Sequence, residues 1–221
     1  MKNSVLQVQM FGTYSIKYED KPISFERNTT TKTNQLMQIL LQAGDKGIQR
    51  TKLLSSLFGD EDMANPANSL RATVFRLRKL LAAAGLPEDD YVTIKGGTYY
   101  WTSNIPYELD AHEFEALVQR AGKESDTAKK KSCLQEAVSL YQGEFLPQLG
   151  AEEWAVVLNV YYKNLFSDAM RTLCQMLKEE KDFKNLYHYA AKAAIIYPLE
   201  DWQIWQMDSL IAMDRQDEAM V

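Results

Sequence analysis

Between Asp62 and Glu88 the chain carries no acidic residue, yet the same stretch holds four cations, Arg71, Arg76, Arg78 and Lys79. Asn65-Pro66 reads as a helix N-cap with proline in the first turn, and Gly85 with Pro87 just beyond closes the pattern, so a long helix to Ala84 is predicted. On a 3.6-residue wheel Leu70, Val74, Leu77 and Leu81 share one stripe. Asn68, Ser69, Ala72, Phe75, Arg76 and Lys79 project away from it, and Arg71 and Arg78 flank the boundary. With no carboxylate three or four positions away, the cations have no partner on their own helix. A neutralising group from outside the helix is therefore expected.

The neighbouring segments frame that helix. Short strand-type runs at Leu6 to Phe11, Tyr14 to Tyr18 and Pro22 to Phe25, broken at Gly12-Thr13 and Glu19-Asp20-Lys21, predict a small antiparallel sheet. The threonine-rich stretch Thr29 to Thr33 supplies an N-cap for a helix carrying Leu36, Ile39, Leu40 and Ala43 and ending at Gly44. Leu53, Leu54, Leu57 and Phe58 mark a second, two-turn helix that follows Arg50-Thr51 and stops at Gly59. Asp60-Glu61-Asp62 lacks the alternating ligands and closing glutamate of a calcium loop and reads as a solvated turn. After the long helix, Val92 to Lys95 and Thr98 to Trp101 flank Gly96-Gly97, a strong hairpin signal. The expected order is strands, three helices, hairpin, the layout of a winged helix-turn-helix whose third helix enters a major groove while the hairpin reaches the adjacent backbone.

From residue 107 onward the pattern turns helical. Phe114, Leu117, Val118 and Ala121 form one stripe, and Leu134, Ala137, Val138 and Tyr141 a second. A long segment from Glu152 to Lys178 carries Trp154, Leu158, Tyr161, Leu165, Ala169, Leu173 and Leu177 on one stripe. Lys181-Asp182-Phe183-Lys184 recurs loosely 34 positions later as Arg215-Gln216-Asp217-Glu218, with Tyr197-Pro198 closing the helix between, as in a tetratricopeptide period. Val221 falls at the opening of a further helix, so a helical domain truncated at its C-terminus is expected. Tyr161, Tyr162, Tyr187, Tyr189, Trp202 and Trp205 are read as core, with a concave repeat surface as the alternative use for some of them. The division expected is an α+β domain over 1–103 and an all-α, tetratricopeptide-like domain over 107–221.

Charge follows the same division. Residues 1 to 103 hold 13 Lys+Arg against 10 Asp+Glu, net +3, leaving 12 against 20, net −8, for residues 104 to 221 of a chain whose formal charge is −5. That asymmetry fits a first half that meets an anion. With 46% hydrophobic residues and only ten glycines and six prolines in 221 residues, collagen-like and disordered readings are excluded. No apolar run reaches the roughly 18 residues of a membrane helix and the start lacks a secretory signal, so a cytoplasmic, non-membrane protein is expected. Cys133 and Cys174 are read as core thiols of a reducing compartment. His112 and His188, 76 positions apart with no nucleophile or acid at catalytic spacing, are read as structural or surface residues. No nucleophile pattern, metal cluster or phosphate-binding glycine loop stands in the sequence, so neither an enzyme nor a cofactor is expected.

Five runs carry a family resemblance. Asn68-Ser69-Leu70-Arg71, Arg76-Leu77-Arg78-Lys79 and Thr93-Ile94-Lys95-Gly96-Gly97-Thr98-Tyr99-Tyr100 resemble the winged helix of response-regulator type. Leu109-Asp110-Ala111-His112-Glu113-Phe114 and Tyr141-Gln142-Gly143-Glu144-Phe145-Leu146-Pro147, with Trp154, resemble the bacterial transcriptional activator domain. Together they are similar to the Streptomyces antibiotic regulatory protein family and its relatives.

The resemblance implies a sequence-specific transcriptional regulator, an activator by family, that binds double-stranded DNA with its first half. Its helical half would support regulation, homodimerisation or contact with RNA polymerase. By position, the family's base-reading residues fall on Asn68, Ser69, Ala72, Thr73 and Arg76, with phosphate contacts at Arg78, Thr93 and Lys95; Lys79, on the same outward face, joins the DNA-binding set. Phe75 stands where a polar or basic residue is common, and Thr98 and Tyr99 alter the usual glycine-rich wing tip. Phe75 is read as packing on a neighbouring element or interface. Together with the acidic second half it also motivates an alternative, a protein-interaction adaptor whose winged helix does not bind DNA.

Overall fold

The computed structural model describes residues 5–23, 30–59 and 65–215. Expectations resting on Phe25, Thr29, the acidic run Asp60-Glu61-Asp62, Gln216-Asp217-Glu218 and a helix opening at Val221 lie outside the described residues. The chain is mostly helical with a small N-terminal β region, and it divides into two compact units. The first comprises Met1–His112 together with Leu146–Val157, and the second comprises Glu113–Phe145 and Leu158–Val221.

In the first unit, β1 (Leu6–Gln9), β2 (Ser15–Tyr18) and β3 (Lys21–Pro22) form the antiparallel meander that the turn signals suggest. Three helices follow: α1 (Lys32–Ala43), α2 (Arg50–Phe58) and α3 (Pro66–Ala83). Thr31 caps α1 by accepting from the Asn34 amide, and Gly44, at φ 54°, ends it. The two-residue strand β4 (Ile48–Gln49) lies between α1 and α2 and pairs with β6 (Thr98–Trp101), which pairs in turn with β5 (Val92–Lys95). Lys95 faces Thr98 across Gly96 and Gly97, whose φ values of 55° and 79° are what a two-residue hairpin turn twisted to match its strands requires.

Leu36, Met37, Leu40, Leu53, Leu57, Leu70, Leu77 and Leu81 are fully buried and make the three-helix core. Each such side chain contributes about 1.5–3 kcal/mol by leaving water. The apolar stripe read on α3 is thus the face it buries.

The sheet has one strand that the sequence did not announce. β7 (Tyr107–Leu109) adds in parallel to β1, giving the order β3-β2-β1-β7, and it runs directly into α4 (Asp110–Lys123). At that junction the Asp110 carboxylate accepts from the Met10 amide at 2.8 and 2.9 Å and from the Phe11 amide at 2.9 Å. Both donors belong to residues with no exposed surface. His112 completes the clasp through Nε2, 2.9 Å from the Gln42 carbonyl, which is the structural role its isolation suggested.

The second unit contains the remainder of α4, α5 (Thr127–Leu140), most of α6 (Glu153–Glu179), α7 (Phe183–Ile196) and α8 (Trp202–Ala212). Its core is aromatic: Tyr141 stacks on Phe166 with ring centroids 4.2 Å apart, and its hydroxyl lies 2.5 Å from that of Tyr197. The stripe read along the long segment needs correcting over its first turns. Tyr161 is 44% exposed and donates to Glu115, whereas Tyr162, Phe166 and Met170 are buried, so the inward face is rotated by one position there. Of the other aromatics read as core, Trp202 is buried, while Tyr187, Tyr189 and Trp205 are half-buried.

Cys133 and Cys174 are buried free thiols, as their placement in helical stripes suggested. Burial pushes the Cys174 thiol up from 9.0 to about 12. A thiol held protonated in the fold but free to ionise in the unfolded chain stabilises fully below pH 9, and that contribution is lost as pH rises from 9 towards 12. Chemical denaturation of the second unit is expected to move to lower urea across that window, and Cys174→Ala should flatten the pH dependence; an unchanged slope in the variant would contradict this.

Candidate nucleic-acid interface

The surface in question is built from the start and outward side of α3. Asn65 begins it by accepting from the Asn68 amide at 3.1 Å, and Pro66 occupies the first turn, where its missing N–H costs nothing. With the leucine stripe buried, Asn68, Phe75, Arg76 and Lys79 stand exposed, and Ser69 and Ala72 half-exposed. Asn68, Ser69, Ala72, Thr73 and Arg76 line a depression of about 340 Å³. Lys32 from the first turn of α1 and Phe58 from the end of α2 complete its wall.

The expected site residues differ in how free they are. Arg76 forms no ion pair among the described residues, and neither does Lys79, whose ammonium instead sits 4.7 Å from the centroid of the Phe75 ring. Phe75 is 58% exposed, so it does not pack on a neighbouring element of the described chain: its ring carries Lys79 and faces solvent. Thr73 is only 2% exposed and its hydroxyl donates to the Ser69 carbonyl at 2.8 Å. That bond turns Thr73 into the helix, leaving it a wall of the depression and not a projecting contact.

Arg78 departs from the expectation that every cation of α3 lacks an internal partner. Its Nη2 donates to the Val92 carbonyl at 2.7 Å and lies 3.8 Å from the Asp90 carboxylate. Arg78 thereby ties α3 to the first strand of the hairpin. The ion pair is largely solvated, so it contributes little to stability, and the backbone bond fixes the geometry. On the hairpin, Lys95 is exposed beside the Gly96-Gly97 turn, while the Thr93 hydroxyl lies 2.5 Å from that of Thr102.

The root of the hairpin is held by a glycine. Gly47, at φ 61°, precedes β4, and a Cβ there would lie 2.6 Å from the Tyr100 ring and 2.8 Å from the Tyr99 carbonyl oxygen. The Arg50 amide donates to the Gly97 carbonyl at 2.9 Å, so the start of α2 anchors the turn of the hairpin as well.

Lys32, Phe58 and Glu152 join this surface without a local signal in the sequence. Glu152, just before α6, accepts from Lys32 Nζ at 3.1 Å and from Gln35 Nε2 at 2.7 Å. Its partners are 120 and 117 positions away, and no local spacing could have signalled the pairing. The Leu146 amide, in the same segment, donates to the Met10 carbonyl at 2.9 Å. No cluster of His, Cys, Asp or Glu able to hold a metal occurs among the described residues.

Comparison with known proteins places the chain. It is 29% identical over 124 residues to Protein RcaC of Microchaete diplosiphon, an alignment covering 52% of this chain and 18% of that protein. Among solved structures, Mycobacterium tuberculosis EmbR in complex with a low affinity phosphopeptide is similar with a TM-score of 0.72 at 15% identity, covering 100% of this chain and 57% of EmbR. The chain thus spans less than two thirds of both relatives, and the likeness to EmbR is one of fold. The bacterial transcriptional activator domain family matches residues 109–221, just over half of the chain, and the chain belongs to that family.

Proposed function

We propose that this protein is a sequence-specific DNA-binding transcriptional regulator whose first unit works as a winged helix-turn-helix, with α3 in the major groove and the β5–β6 hairpin against the backbone. The observation that carries the reading is the exposed Arg76 guanidinium, set in the row Asn68, Ser69, Ala72 and Arg76 and without an ion pair among the described residues. A guanidinium so placed donates two parallel hydrogen bonds to the O6 and N7 atoms of guanine, which discriminates against a wrong base by about 1–3 kcal/mol. Lys79 and Lys95 are point charges that neutralise phosphates, and Asn68 and Ser69 offer short polar groups to base edges or backbone. Arg78 serves chiefly to hold the hairpin beside α3. Membership of the activator-domain family supports the regulatory role, with RNA polymerase and a second copy of the chain as proposed partners and the cytoplasm as the proposed location.

The test is a titration with cognate and scrambled duplexes. Arg76→Ala is expected to lose about 10- to 100-fold of preference for the cognate site, whereas Lys95→Ala weakens all duplexes alike and lowers the log–log salt slope by about 0.9. Equal binding of every duplex by the wild type, unchanged in Arg76→Ala, would contradict the reading.

An adaptor is the competing reading, and one feature of the second unit favours it. Ile195, Leu199 and Ile204 are 82%, 100% and 59% exposed, apolar surface of the kind that protein partners cover. No duplex affinity at low salt, together with a stable protein partner, would select it.

A further inference from the structure

Lys32 has a place in the first unit that its sequence position does not suggest. It stands in the first turn of α1, yet its side chain lines the same depression as Asn68 and Arg76. Among the described residues it is the cation of that wall paired with a carboxylate, Glu152, at 3.1 Å. The side chains of the pair are 37% and 28% exposed, so water reaches both and neither is locked in.

Glu152 has a second partner. The buried Gln35 side chain donates to Glu152 at 2.7 Å and to the Thr30 carbonyl at 3.0 Å. The carboxylate therefore keeps one strong donor if Lys32 swings away, and a flexible lysine stem makes such a swing inexpensive. Arriving phosphate would offer the ammonium a full negative charge at the depression, in place of a carboxylate it shares with Gln35.

Resting on the DNA-binding reading above, we infer that Lys32 is a phosphate-contacting residue of this surface and that Glu152 is its internal competitor. In the free chain Glu152 occupies the ammonium; on DNA the ammonium transfers to a backbone phosphate, and Glu152 stays with Gln35. Glu152 lies within the family-matched region and within the segment Leu146–Val157 that packs into the first unit. Any displacement of that segment would alter the charge available beside α3.

The experiment measures affinity of the full chain for a fluorescein-labelled mixed-sequence duplex over a salt series. Glu152→Gln, which keeps an acceptor for Gln35 but removes the charge, is expected to tighten binding about two- to fivefold at low salt. Lys32→Gln is expected to lower the log–log slope by about 0.9, and Glu152→Gln added to it should change nothing further. Glu153→Gln, which removes an adjacent exposed charge that has no ion pair among the described residues, should leave affinity near that of the wild type. Equal tightening by Glu152→Gln and Glu153→Gln, or an unchanged slope in Lys32→Gln, would overturn the inference while leaving the DNA-binding reading intact. Failure of the wild type to bind any duplex would overturn both.

Discussion

Asp110→Ala is expected to destabilise the first unit by about 3–5 kcal/mol, a large part of the 5–15 kcal/mol that holds a typical domain together. The carboxylate receives the Met10 and Phe11 amides, both from residues with no exposed surface, so truncation leaves two donors without water to replace the lost acceptor. Hydrogen bonds to a charged acceptor contribute about 1.5–3 kcal/mol each, and the loss is concentrated where β1, β7 and α4 meet. Asp110→Asn keeps one carbonyl oxygen and should recover part of the stability. Urea unfolding with amide exchange of the β1 residues checks both; a loss below about 1 kcal/mol for the alanine variant would show that the clasp is not a principal support.

Gly47→Ala is expected to cost about 3 kcal/mol or more and to act on the hairpin. Its backbone, at φ 61° and ψ −174°, lies in a region that is nearly exclusive to glycine, and adopting it with a side chain costs about 1–3 kcal/mol. The steric term adds to that. The Tyr100 ring can turn aside, but the Tyr99 carbonyl oxygen at 2.8 Å is backbone of β6 and moves only if β4 and β6 part. Thermal unfolding and the protection of the Thr98–Trp101 amides report the outcome. Retention of native protection in those amides would mean that the turn tolerates a side chain.

Much of this architecture was readable from residues near one another in sequence. The N-cap and proline at Asn65-Pro66, the leucine spacing of α3 and the Gly96-Gly97 turn are local signals, and local geometry realises them where they were expected. The exceptions depend on distant partners. β4 and β7 are two and three residues long, too short for alternation to register, and exist because β6 and β1 offer them edges. Tyr161 and Tyr162 are adjacent and chemically alike, so periodicity alone could not decide which faced inward.

The outward row of α3 was legible because its hydrophobic complement was clear. Which of the expected contact residues are free was not. The Thr73 hydroxyl is spent on its own helix and Arg78 is spent on Val92, both consequences of backbone carbonyls brought within reach by the fold. The Lys32–Glu152 pair spans 120 positions and is invisible to any helical or strand period. The Leu109-Asp110 motif did carry a usable signal, since an aspartate at a strand-to-helix junction has backbone amides to accept from.

Mapping amide shifts of the full chain during titration with its operator duplex shows whether the face of α3 carrying Arg76 meets duplex DNA. Shifts concentrated at Asn68, Ser69, Ala72 and Arg76 and along Val92–Trp101, diminishing as salt is raised, are expected. Shifts confined to α7 and α8, or absent from α3 at saturating duplex, would contradict that contact.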